Sequence, residues 1–172
     1  EIWEAIMEHA GATGEPGLVF LDTINKKHPV DEEIEATNPC GEQPLLPYES
    51  CCLGSINLAN HVTSHAAVGV DWDKLDNTIQ VAVHFLNNLI DKNMYPLPEI
   101  EQQTKKYRKI GLGVMGWADM LIKLGIPYVS DEALELAEEV MKFINVKAKE
   151  YAPNNTTRTT IAPTGSISII AG

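Results

Sequence analysis

Basic residues, cysteines and long apolar runs are all scarce in this sequence, and each shortage excludes something. Thirteen lysines and arginines stand against 24 aspartates and glutamates in 172 residues, a net charge of −11. Neutralising nucleic-acid phosphates takes clustered basic side chains, so a protein that wraps DNA or RNA is excluded. Any nucleotide bound here is held locally, by backbone and hydroxyl donors. No apolar run reaches the roughly 18–20 residues that cross a bilayer, and Glu1-Ile2-Trp3-Glu4 is not the basic start of a secretory signal. The expectation is a cytoplasmic protein with no membrane partner. Three cysteines cannot build a disulfide scaffold, and a reducing compartment favours a catalytic or redox role for those present. Cys51 and Cys52 are neighbours, about 3.8 Å apart at Cα, which is under the roughly 4.4 Å an ordinary disulfide needs. Their redox partners are expected elsewhere. The chain lacks an initiator Met and stops inside the apolar run Ile169-Ile170-Ala171-Gly172, as a part of something longer would.

The remaining composition, 44% hydrophobic, suffices for one domain with a buried core. Residues 1–10 carry apolar positions at helical spacing, with Gly11 as a stop. The turn Glu15-Pro16-Gly17 leads into a strand-like run, Leu18-Val19-Phe20-Leu21. Residues 22–55 hold Pro29, Pro39, Pro44 and Pro47 and read as a long irregular stretch, which a compact domain keeps for a use. Three helices follow in the segment 71–151: one from Asp71 or Asp73 through Leu75, Ile79, Val83, Leu86 and Ile90, a second over residues 113–124, and a third opened by Ser130. The third steps through Leu134, Ala137, Met141, Ile144, Ala148 and Tyr151. Residues 156–161 are β-branched and strand-like, and Ala162-Pro163-Thr164-Gly165-Ser166 breaks them.

Chemistry concentrates in Asn38-Pro39-Cys40-Gly41-Glu42, where an amide, a thiol and a carboxyl recur at i, i+2 and i+4. In extended backbone those three side chains face one way, as a stiff loop tip presenting them to one ligand. A surface loop with a bystander cysteine fits the spacing equally well. Cys51, Cys52, His61 and His65 include an H-x₃-H spacing used by zinc, but adjacent cysteines rarely chelate one ion, so no metal is expected and both histidines read as solvated. Pro163-Thr164-Gly165-Ser166-Ile167 could cradle an anion through hydroxyls and N–H groups, or be an ordinary turn. Gly111-Leu112-Gly113-Val114-Met115-Gly116 satisfies G-x-G-x-x-G, yet the polar residues 103–108 are not the buried strand a dinucleotide site requires. These glycines read instead as sites of close helix packing.

The finger Asn38-Pro39-Cys40-Gly41-Glu42, followed by Tyr48-Glu49-Ser50-Cys51-Cys52-Leu53-Gly54-Ser55-Ile56-Asn57-Leu58, resembles the active-site loop of the ribonucleotide reductase large subunit. The likeness extends through Gly14-Glu15-Pro16-Gly17, Asp22, Asn25, residues 108–116 and residues 162–172. It implies an α/β fold, an internal part of a ten-stranded barrel over residues 1–172, with a central finger loop at 36–55, a helical segment at 71–151 and a phosphate loop at 162–168. It implies that Cys40 carries a thiyl radical that takes the 3′ hydrogen of a ribonucleotide, that Glu42 takes the 3′-hydroxyl proton and that Asn38 binds the ribose hydroxyls. Cys51 matches one member of the redox cysteine pair, while Cys52 stands where the family more often has Asn. Thr164, Gly165, Ser166 and the Ile167 amide match the loop that holds substrate phosphates.

Within the family, the Asn-Pro-Cys-Gly-Glu-Gln and Tyr-Glu-Ser-Cys wording is most similar to the adenosylcobalamin-dependent class II. The implied partners are a ribonucleotide substrate, a thioredoxin- or glutaredoxin-type reductant, the rest of a parent chain and a second copy in a homodimer. A class I large subunit served by a separate radical-generating subunit is the alternative within the family. Outside it stand a noncatalytic helical interaction module and a nicotinamide-dependent dehydrogenase.

Overall fold

The computed structural model describes residues 1–63 and 68–171 and forms two compact units, residues 1–46 and 47–172. In the first, helix α1 (Ile2–Thr13) runs past Gly11 and ends at Gly14, which takes a left-handed φ of 81° and donates its N–H to the Ala10 carbonyl. The strand expected over residues 18–21 is absent. Leu18, Val19 and Phe20 are exposed and pair with no strand, and helix α2 (Leu21–Lys27) begins instead. Asn25 of that helix exchanges two hydrogen bonds with the Ile34 backbone, at 3.1 and 2.7 Å, and so ties the following loop down. Strands β1 (Ala36–Thr37) and β2 (Pro44–Leu45) then form a short antiparallel hairpin within the stretch expected to be irregular.

The second unit is built on parallel strands β3 (Cys52–Asn57) and β4 (Ile110–Met115), registered from Cys52 opposite Ile110 to Asn57 opposite Met115. The β-branched run 156–160 extends this sheet beyond β4, with a parallel bridge from Thr159 to Leu112. Helix α3 (Trp72–Lys92) covers one face. Asp71 caps it by accepting the Lys74 N–H at 3.0 Å, and Leu75, Ile79, Val83, Leu86 and Ile90 are all buried, as their spacing requires. Burying each such side chain contributes about 1.5–3 kcal/mol. Helix α6 (Asp131–Tyr151), capped by Ser130, packs on α3 through Val140, Ile144 and Ala148. The expected stripe holds at Ile144 and Ala148 and at the partly buried Met141 and Tyr151, and departs at the start of the helix, where Ala133 is inside and Leu134 is 70% exposed.

Two elements differ from expectation between these helices. Helix α4 (Pro98–Tyr107) was not visible as a periodic pattern, because only Thr104 of its ten residues is buried and no apolar stripe exists to be read. Residues 113–115 belong to β4 and not to a helix, and helix α5 (Trp117–Leu124) begins only after Gly116. The final helix, α7 (Gly165–Ala171), starts inside the expected phosphate loop. No described helix is long and apolar enough to cross a membrane.

Candidate active site

The first unit presents Cys40 at the tip of its hairpin. Residues 38–43 form a closed turn: the Asn38 N–H donates to the Gln43 carbonyl at 3.2 Å, and Gly41 donates to the Asn38 carbonyl at 3.0 Å. The Asn38 side-chain oxygen accepts the Gln43 N–H at 3.0 Å, bracing the turn from within. This backbone is not extended, so the alternation expected to align Asn38, Cys40 and Glu42 does not operate. Gly41, at φ 82°, supplies the left-handed residue that the reversal needs. Cys40 is exposed and Glu42 half-buried. With its oxygen committed to Gln43, the Asn38 carboxamide has its NH₂ end to offer a ligand.

In the second unit, Cys52 is the first residue of β3 and Cys51 directly precedes the strand. Cys52 packs against the core beneath α3, on the face shared with Ile56 and with Gly54, whose α-carbon faces Leu86. Burial pushes the Cys52 thiol up, and the neighbouring Cys51 adds to the effect. Burial likewise raises the Tyr95 phenol, with Cys52 contributing, while the Tyr95 hydroxyl donates to the Ile90 carbonyl at 2.8 Å. A thiol held protonated in an apolar setting reacts slowly.

Just before Cys51 lies a constellation that the sequence did not reveal. Lys109 donates to Glu49 at 2.6 Å, with only 2% and 1% of the two side chains exposed, and the Ser50 and Thr104 hydroxyls meet at 2.7 Å. The only signal in the sequence is that Lys109 directly precedes the apolar strand β4.

The glycine motif has a different purpose from either reading given it. A methyl group at Gly113 would overlap the Thr160 carbonyl oxygen, and one at Gly116 the Asn57 side-chain oxygen. These positions allow a close approach of strand to strand and of the β4–α5 turn to β3, in place of the helix packing expected. His61 is buried and not solvated: Nδ1 lies 3.0 Å from the Asn57 carbonyl oxygen and Nε2 2.9 Å from the Thr78 hydroxyl. Both ring nitrogens are therefore engaged, which removes His61 from a zinc set. His65 lies outside the described residues, and among those described no three His, Cys, Asp or Glu converge on a metal position. In the expected phosphate loop, Thr164 adopts φ 56° and its carbonyl accepts the Ser168 N–H at 2.9 Å, while Gly165, Ser166 and Ile167 form the exposed first turn of α7.

With its helices, a short antiparallel hairpin in the first unit and a parallel sheet in the second, the chain is of mixed α/β type. Comparison with known proteins supplies its family. The model of the ribonucleotide reductase barrel domain matches residues 1–154, and the chain belongs to that family. It is 50% identical to the vitamin B12-dependent ribonucleoside-diphosphate reductase of Thermoplasma acidophilum and 48% identical to that of Mycobacterium tuberculosis, over its whole length in both cases. The chain spans 26% and 28% of those relatives. Its structure is similar to the class Id ribonucleotide reductase alpha subunit of Actinobacillus ureae, with a TM-score of 0.77 at 26% identity, covering 99% of this chain and 37% of the other.

Proposed function

We propose that this chain is the part of a ribonucleotide reductase that carries the radical cysteine and one redox cysteine, acting on ribonucleoside diphosphates. The observation that carries the reading is the exposed Cys40 thiol, set on a braced turn with an amide two residues before it and a carboxyl two residues after. In this reading the Cys40 thiyl radical takes the 3′ hydrogen, forming S–H as the C–H bond breaks. Glu42 accepts the 3′-hydroxyl proton and Asn38 holds the ribose hydroxyls while the 2′-hydroxyl leaves as water. Cys51 and a cysteine from outside this chain become a disulfide and deliver two electrons and two protons, one proton leaving with the 2′-hydroxyl as water and one hydrogen ending on C2′. Glu42 returns its proton to the 3′ oxygen, and Cys40 returns its hydrogen to C3′. A thioredoxin- or glutaredoxin-type dithiol then resets the pair by thiol exchange. Thr164, Gly165, Ser166 and the Ile167 amide receive the substrate phosphates, with neutral donors suiting an acidic chain.

Both sequence relatives named above are called B12-dependent, and that supports adenosylcobalamin as the cofactor. The residues present fit it in one respect, since a thiol exposed on a loop tip is open to a radical formed on a separate group. When bound, the cobalamin supplies the radical that starts the cycle. The likeness to a class Id alpha subunit favours a second reading, a class I chain served by a separate subunit. The test is deoxynucleotide formation by the full-length protein from a ribonucleoside diphosphate with thioredoxin. Product that requires adenosylcobalamin supports the first reading, product that requires a second subunit supports the other, and no product under either condition overturns both.

A further inference from the structure

The ion pair between Lys109 and Glu49 is the most deeply buried charge in the described structure that the proposed reaction does not use. Stability alone does not explain it, because the desolvation of two charges offsets most of their attraction and an apolar pair would serve as well. Its surroundings point to another purpose. Glu49 and Ser50, consecutive residues, are each held by a polar contact to the α4–β4 segment, at 2.6 Å to Lys109 and 2.7 Å to Thr104. The next residue is Cys51. The register of β3 on β4 begins with Cys52 opposite Ile110, so Cys51 and Lys109 are the residues that directly precede the two paired strands. Hydrogen bonds are directional where apolar contacts are not, so these two pins fix the backbone path into Cys51.

We propose that Glu49 and Lys109 are a positioning pair for Cys51, setting its thiol where a disulfide partner can meet it. This rests on the redox reading of Cys51. A disulfide forms only within a narrow Cα separation and torsion, roughly 4.4–6.8 Å and 85–100°, so a displaced Cys51 loses its partner even when the fold survives.

The test uses the full-length protein with two variants, the apolar double substitution E49L/K109M and the single substitution Glu49→Gln, which keeps the size of the side chain and removes its charge. Melting temperature, thioredoxin-dependent turnover and the fraction of Cys51 found in a disulfide after one turnover are measured for each. The expected result is a double variant that melts near the parent temperature yet turns over at least about tenfold more slowly, the size of loss that a small misplacement of a reacting group causes. Less Cys51 should be found in a disulfide. Glu49→Gln should show the same loss in smaller degree. Normal turnover and normal disulfide formation in a folded double variant overturn the proposal; if that variant does not fold, normal values in Glu49→Gln do so. Cys51→Ser keeps the two questions apart. If it retains thioredoxin-dependent turnover, the redox reading of Cys51 is wrong; if it is dead while both pair variants are normal, only the pair is.

Discussion

Gly113 of β4 and the Thr160 carbonyl approach so closely that no side chain fits between them. Thr160 also donates its N–H to the Leu112 carbonyl at 3.3 Å, so the two segments have no room to part without losing the pairing. Gly113→Ala is therefore expected to destabilise the full-length protein by about 1–3 kcal/mol, as overpacking does. Chemical denaturation measures this. An unchanged midpoint would contradict the close approach.

The two adjacent thiols should differ sharply in consequence. Cys52 sits against the core with its thiol pushed up by burial, whereas Cys51 precedes the strand and directly follows the pinned residues Glu49 and Ser50. Cys51→Ser should abolish thioredoxin-dependent deoxynucleotide formation, and Cys52→Asn should leave most of it. Turnover assays on both variants decide the matter. A dead Cys52→Asn beside a normal Cys51→Ser would reverse the assignment.

His61 predicts a pH effect on stability. Burial lowers its pKa below the ordinary 6.5, against an opposing contribution from the hydrogen bond to the Asn57 carbonyl; Lys74 lowers it further and Asp71 raises it. The folded state thus favours the neutral ring, and on acidification the unfolded chain takes up the proton first. Stability from this site should be complete above about pH 6.5 and decline as the pH falls through the lower folded value. Denaturation midpoints measured from neutral to mildly acidic pH should fall less steeply in His61→Gln. An identical slope in the variant would remove His61 as the cause.

What the sequence disclosed followed from how strongly local rules apply. The α3 stripe and the caps Asp71 and Ser130 were legible because a long amphipathic helix repeats its signal over many turns. Helix α4 carried no such signal, since its charged residues face solvent and only Thr104 goes inside. Strand β4 is not legible in the sequence because Gly113 within it and Gly116 just after it answer to Thr160 and Asn57, which are distant in sequence. The buried state of His61 and the Lys109–Glu49 pair were hidden for the same reason: polar residues read as exposed until their partners are known. In the finger, the residue types were legible from the motif, but the turn at 38–43 was not, because the Asn38 side chain closes it through a hydrogen bond to Gln43.

The central claim is that Cys40 takes the 3′ hydrogen of a ribonucleotide, and one measurement reaches it most directly. Full-length protein is given a ribonucleoside diphosphate carrying deuterium at C3′, and product formation is compared with that from unlabelled substrate, in the parent and in Cys40→Ser. A hydroxyl holds its hydrogen far more strongly than a thiol, so the variant should form no deoxynucleotide, while the parent should slow measurably with the heavier isotope. Substantial product from Cys40→Ser, with the isotope effect retained, would show that another residue takes the hydrogen and would contradict the account.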